Sequence, residues 1–228
     1  MPWQDGAQTP YRSVDEDSRV NQDDPMPQPR RDSQARPAAP ADLPIVLLDC
    51  GDTLVDESTE VHEDGIVLSG ELTPGAEQMV RDLVAAGHRV ALVADGRLRS
   101  FENLLEPSGV FDLFETLTCS DAVRHRKPSP RMFKAAMGSL DLDPEDAARC
   151  VMVGNNLARD IAGANRMGMI SVHMAWTPRY SRTPEHPDEV PDHTIVDPAE
   201  LLPLLRGLAG SAATTALLGQ VAEEPAAR

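Results

Sequence analysis

Oxygen ligands and one ammonium stand behind the apolar runs of this sequence. Asp49 and Asp52 follow IVLL, Asp95 follows VALVA, Lys127 comes shortly after TCS, and Asn155, Asn156 and Asp160 follow VMVG. An aspartate behind one strand is ordinarily a turn or helix cap. Polar groups behind several strands together point to a site. Carboxylate and carbonyl oxygens suit a hard cation such as Mg²⁺, and a phosphate can bridge that cation and a lysine. Asp49 would then be the nucleophile. The lysine is informative by its rarity, because Lys127 and Lys134 are the only lysines among 21 basic residues. In a chain that otherwise chooses arginine, an ammonium beside Pro128 fits the role of a compact point charge.

Such groups converge only if the chain carries them to one rim. IVLLD and RVALVAD read as buried strands, followed by FETLTCS, CVMVG, MISVHMA and HTIV. Helical patterns lie between them: TPGAEQMVRDLVAAG, a stretch around Phe101 to Leu105, the segment after KPSP, LARDIAGANRMG and PAELLPLLRGL. In the first, Thr73 reads as N-cap, Pro74 as the first helical position and Gly87 as the stop. Ala76, Met79, Val80, Leu83 and Val84 share its apolar face. Apolar strands alternating with amphipathic helices predict an α/β fold, a three-layer, doubly wound parallel sheet of Rossmann-like form. Ligands in such sheets bind at the carboxyl ends of the strands, where these polar residues fall.

The flanks have another character. Residues 1–42 are rich in Pro, Asp, Gln and Arg without apolar periodicity, which predicts disorder. Residues 209–228 form an Ala-rich tail, leaving 43–208 as the folded domain. The net charge of −16 and pI near 4.7 argue against a nucleic acid or an anionic membrane as partner. No signal or transit peptide pattern opens the chain, so a cytoplasmic location is expected. The three cysteines, Cys50, Cys119 and Cys150, lie far apart without a C-x-x-C pair and read as reduced, buried thiols.

In order along the chain, LDCGDTL, LVADG, KPSPRMF and VGNNLARDIAGANRMG resemble motifs I to IV of the haloacid dehalogenase superfamily of hydrolases, across 45 to about 205. The resemblance implies a Mg²⁺-dependent phosphatase. Asp49 matches the nucleophile that forms an aspartyl-phosphate, Lys127 the lysine that neutralises it, and Asp160 the second acid of motif IV. The metal set it implies is Asp49, the carbonyl of Gly51, Asn155 and Asp160. Ala94, Asp95, Gly96, Arg97 and Arg126 form the expected substrate-binding set.

The sequence departs from the family pattern at three of these places. The family's D-x-D-x-T motif carries its leaving-group acid two residues after the nucleophile, where this chain has Gly51. Asp52 stays in the catalytic set as the displaced acid. A one-residue shift in extended chain turns a side chain to the other side, however, so capping or bracing is its expected role. Ala94 stands where the family places a phosphate-binding hydroxyl, and Asn155 where it places an aspartate. Alkyl phosphates should then react slowly, since acid–base help is worth roughly 10²–10⁴-fold. Acyl, aryl or anomeric phosphates are preferred by this argument. The competing expectation is a phosphate-binding or regulatory module that does not turn over. A receiver-type phosphoacceptor domain fits less well, because the acids and lysine have the wrong spacing.

Arg97, Arg99 and the run RHRK at Arg124 to Lys127 place positive charge on the expected rim, where it would focus a phosphate. His62, in the segment where the family has a flap, and His173, in a strand, read as structural. The gaps between motifs are too short for a full cap domain. An open site suits a macromolecular substrate, or a lid lent by a second copy in a homo-oligomer, better than a small phosphorylated molecule.

Overall fold

The computed structural model describes residues 43–209, so the expected disordered stretch 1–42 and nearly all of the tail 209–228 lie outside the described residues. Strand β1 (Ile45–Leu48) is followed by a hairpin, β2 (Val55–Glu63) and β3 (Ile66–Leu72), and by helix α1 (Ala76–Ala85). Next come β4 (Val90–Ala94), α2 (Leu98–Leu105), β5 (Thr116–Cys119), the single turn α3 (Ser120–Val123) and α4 (Pro130–Ser139). The described chain continues through β6 (Cys150–Gly154), a π-helical turn (Leu157–Ile161), α5 (Ala162–Met167), β7 (Ile170–Met174), β8 (His193–Ile195) and helix α6 over 201–209.

Six strands form one parallel sheet in the order β5-β4-β1-β6-β7-β8. Period-two alternation sends the β1 side chains into two separate cores. Val46 and Leu48 pack with Met79, Val80 and Leu83 of α1, and Leu201 and Leu205 of α6 share that core. Ile45 and Leu47 face the other way, against Met132, Phe133 and Ala136 of α4. The sheet is therefore covered on both faces, which is why its strands read as continuous apolar runs.

Two local readings change. Helix α1 begins at Ala76 with Gly75 as N-cap at φ 83°, so Thr73 and Pro74 precede the helix. Thr73 instead closes a turn, its carbonyl accepting the Ala76 N–H at 2.9 Å. The segment between β1 and α1 holds the β2–β3 hairpin, turned at Asp64 (φ 49°) and Gly65 (φ 73°). An Asp-Gly pair with positive φ at both positions matches a tight type I′ connection. This hairpin leans on α2: Arg97 Nη1 donates to the Asp64 carbonyl at 3.2 Å, the Val67 N–H to Ser100 Oγ at 3.0 Å, and Asn103 Nδ2 to the Val67 carbonyl at 2.9 Å.

Candidate active site

The chain leaves β1 toward β4 on one side and later returns to β6 on the other, so strand order reverses beside β1. The carboxyl ends of these three strands form the crevice that a doubly wound sheet offers a ligand. A cavity of about 600 Å³ opens there, with Asp49, Asp95, Lys127 and Asp160 among its walls.

Lys127 is buried at its floor, and its Nζ donates to Asp49 Oδ1 at 2.6 Å and to the Val93 carbonyl at 2.8 Å. The same nitrogen is 2.7 Å from Asp160 Oδ1. Burial pulls the ammonium toward its neutral form, but Asp160 and Asp49 outweigh it and hold the group above its ordinary range. The loop is held from below as well, since the Lys127 N–H donates to Asp95 Oδ1 at 3.1 Å. Asp95, expected in the substrate set, thus spends one oxygen on positioning the lysine, and its other oxygen lies 3.8 Å from Arg159. Burial, ahead of the pull from Lys127, pushes its carboxyl up.

Asp160 can reach the floor because residue 154 has no side chain: a Cβ there would stand 2.3 Å from its Cγ. The Asn156 N–H donates to Asp160 Oδ2 at 3.0 Å across the π-helical turn. Burial first, and the Asp49 charge second, push the Asp160 carboxyl up. Asn155 is buried, with its amide nitrogen unpartnered among the described residues. Its backbone carbonyl accepts His173 Nε2–H at 3.1 Å, and burial keeps that imidazole below its usual pKa, hence neutral. His173 is structural.

Among the described residues no three His, Cys, Asp or Glu side chains form a metal cage. Asp49, Gly51, Asn155 and Asp160 all line the cavity, and the Gly51 carbonyl accepts none of the described backbone bonds. These are hard oxygen donors with one negative charge fewer than an aspartate at 155 would supply. Asp49 and Asp160 share the single ammonium of Lys127, which leaves an excess of carboxylate charge that a divalent cation would relieve. The donor set fits Mg²⁺.

Two expectations change, for Asp52 and for Arg99, while Ala94, Arg97 and Arg126 fall where expected. Asp52 does not line the cavity; it is fully buried at φ 45° and faces the other way. Its Oδ1 accepts the Glu57 N–H at 3.1 Å, its Oδ2 pairs with the Arg179 guanidinium, and its carbonyl accepts Trp176 Nε1–H at 2.6 Å. It braces the turn against the segment after β7, the role expected of it, but from a left-handed turn and not from extended chain, and it does not line the cavity. Ala94 lines the cavity but brings only a methyl group. The hydroxyl nearby belongs to Ser120, whose Oγ accepts the Gly96 N–H at 3.0 Å. Arg97 and Arg126 reach the rim with Arg124, whereas Arg99 turns to Glu102 at 3.2 Å.

Other residues of the cavity wall carry no signal in the motifs. Arg159 adds a rim cation, and the hairpin brings Glu57 and Glu60 into the wall, with Tyr180 beside them and with His62, which the sequence reads as structural. Tyr180 follows the carboxyl end of β7, so the strand-end rule could have found it. The hairpin was signalled by Asp64-Gly65, but no local pattern says over which residue a hairpin closes. It closes over Gly51: a Cβ at 51 would stand 2.0 Å from Glu57 Oε1. Burial raises the Glu57 carboxyl, with Asp52 adding to it, and the Tyr180 hydroxyl donates to its Oε2 at 3.1 Å.

Comparison with known proteins agrees with this geometry. Residues 62–168 match the family model described as haloacid dehalogenase-like hydrolase. A glyceraldehyde 3-phosphate phosphatase of Methanopyrus kandleri is 35% identical over 124 residues, covering 54% of this chain and 52% of the relative. The pyrophosphatase PpaX of Bacillus cereus is 29% identical over 147 residues, covering 64% of each. The chain thus spans about half the length of the first of these relatives and 64% of the second. A phosphatase structure from Thermococcus onnurineus superposes with a TM-score of 0.52 at 25% identity, covering 59% of this chain and 58% of that one. A Listeria monocytogenes protein at 23% identity shares the fold with a TM-score of 0.58, over 72% of this chain and 99% of its own. With the motifs in order, the strand order around β1 and a family model matched over residues 62–168, the chain is similar to the hydrolases of the haloacid dehalogenase superfamily in fold and in the layout of its site.

Proposed function

We propose that the protein is a Mg²⁺-dependent phosphohydrolase working through an aspartyl-phosphate at Asp49. The observation that carries this reading is the contact of Lys127 with both Asp49 and Asp160 at the floor of a cavity rimmed by arginines. Asp49 Oδ1 is taken by Lys127, and its second oxygen accepts none of the described hydrogen bonds, so it can attack phosphorus in line. Lys127 stays charged and neutralises the equatorial oxygens as the P–O bond breaks. Arg97, Arg124, Arg126 and Arg159 draw a phosphate to the rim of an otherwise acidic protein. A Mg²⁺ held by Asp49, the Gly51 carbonyl, Asn155 and Asp160 would supply further charge neutralisation on the phosphoryl group.

The substrate class is a small phosphorylated molecule, because the β2–β3 hairpin walls a site that the gap length alone would leave open. The phosphatase relatives named above support this class. In the test, protein is incubated with Mg²⁺ and acetyl phosphate or p-nitrophenyl phosphate, quenched in acid, and analysed by intact mass. A phosphoprotein and released phosphate, both lost in Asp49→Asn and on chelation, are expected. Full turnover by Asp49→Asn would show the mechanism to be wrong.

A further inference from the structure

We propose that Glu57, reaching in from the hairpin, is the acid–base residue of this site in place of the side chain that residue 51 lacks. This deepens the aspartyl-phosphate reading and rests on it. Glu57 Oε1 occupies the space in which a side chain at 51 would begin, 2.0 Å from its would-be Cβ, and the Cδ lies at 2.9 Å. The glycine and the glutamate are therefore complementary: an aspartate at 51 and the present Glu57 rotamer exclude one another.

The carboxylate is also held there. Its Oε2 accepts from Tyr180 at 3.1 Å and lies 3.8 Å from Arg179 Nε, while the Glu57 N–H is fixed by Asp52 Oδ1 at 3.1 Å. Oε1 accepts none of the described hydrogen bonds and faces the cavity that Asp49 lines. One oxygen is thus anchored and the other is presented to the substrate. The buried Asp52 has a second role in this arrangement, as a positioning residue for Glu57.

In the first half-reaction Asp49 forms a bond to phosphorus, the bond from phosphorus to the leaving oxygen breaks, and the Glu57 carboxylic proton goes to that oxygen. In the second, Glu57 takes a proton from water as the water oxygen bonds to phosphorus and the Asp49–phosphorus bond breaks. Phosphate leaves, and both carboxyl groups return to their starting states. Neither half needs a further reactant.

The experiment compares rates of phosphoenzyme formation from an alkyl phosphate, glycerol phosphate, and from acetyl phosphate, whose leaving group needs little protonation. With Glu57→Gln, the rate from glycerol phosphate should fall about 10²–10⁴-fold. The rate from acetyl phosphate should stay within about threefold of wild type, and the phosphoenzyme should accumulate because its hydrolysis has lost its base. Gly51→Asp with Glu57→Ala, which restores an acid at 51 and removes the clash, should recover part of the glycerol phosphate rate. Equal loss on both substrates, no loss on either, or a wild type inert toward glycerol phosphate would overturn the role of Glu57. Absence of any Asp49 phosphoenzyme in the wild type would instead overturn the reading on which it rests.

Discussion

Lys127 Nζ and Asp49 Oδ1, separated by 78 positions in the chain, meet at 2.6 Å in a space where the lysine side chain is 2% exposed. Nothing local holds them together. The contact exists because β1 and β4 are neighbours in register and because Asp95, at the end of β4, receives the Lys127 N–H.

Lys127→Met should abolish phosphoenzyme formation and destabilise the fold together. It leaves Asp49 and Asp160 facing each other without their cation, and breaking a buried pair in this way costs about 3–5 kcal/mol. Urea unfolding with and without Mg²⁺ measures the loss, and added Mg²⁺ should restore part of it.

Asp52→Ala should lower stability and, by releasing Glu57, slow the reaction with glycerol phosphate while sparing that with acetyl phosphate. It removes the partner of Arg179 and of the Glu57 N–H. An unsatisfied buried group costs about 1–3 kcal/mol. The denaturation midpoint should fall, while the folded variant still forms phosphoenzyme from acetyl phosphate. Loss of that reaction at unchanged stability would return Asp52 to the catalytic set.

Gly154→Ala should displace Asp160, since the new Cβ would stand 2.3 Å from its Cγ. A misplacement of about 1 Å at a reacting centre costs on the order of 10²-fold in rate. Initial rates on p-nitrophenyl phosphate, compared with those of Ala164→Gly outside the cavity wall, separate this from a general loss of packing.

The cysteines give a prediction in pH. All three are buried. Burial, with Asp146 adding to it, raises the Cys150 thiol to about 11, and burial with Asp49 raises Cys50 well above its usual range. Below the unfolded thiol pKa of about 8.5 both states are protonated and stability is unaffected. Above it the unfolded chain loses a proton that the folded chain keeps, so stability falls with rising pH until Cys150 titrates near about 11. Cys150→Val should flatten that fall, as read from urea midpoints across the range. A native sample should give no fast reaction with a disulfide reagent at neutral pH, and a denatured one should show all three thiols.

The alternation of apolar strands and amphipathic helices determined the layered parallel sheet, because buried strands need both faces covered. The ordered polar residues at strand ends determined Asp49, Lys127 and Asp160 as a set, since that topology carries strand ends to one rim. The bracing role of Asp52 was legible too, although its physical reason was not: Asp52 sits in a left-handed turn at φ 45°, and that turn, not extended-chain alternation, sends its carboxylate away from the cavity. What only the tertiary structure decided was the hairpin's closure over that glycine. Glu57 lies in a half-exposed strand whose pattern shows where it turns but not what it covers. Its approach to Gly51 depends on α2, Tyr180 and the buried Asp52–Arg179 pair. These are contacts between residues far apart in sequence, and packing alone brings them together.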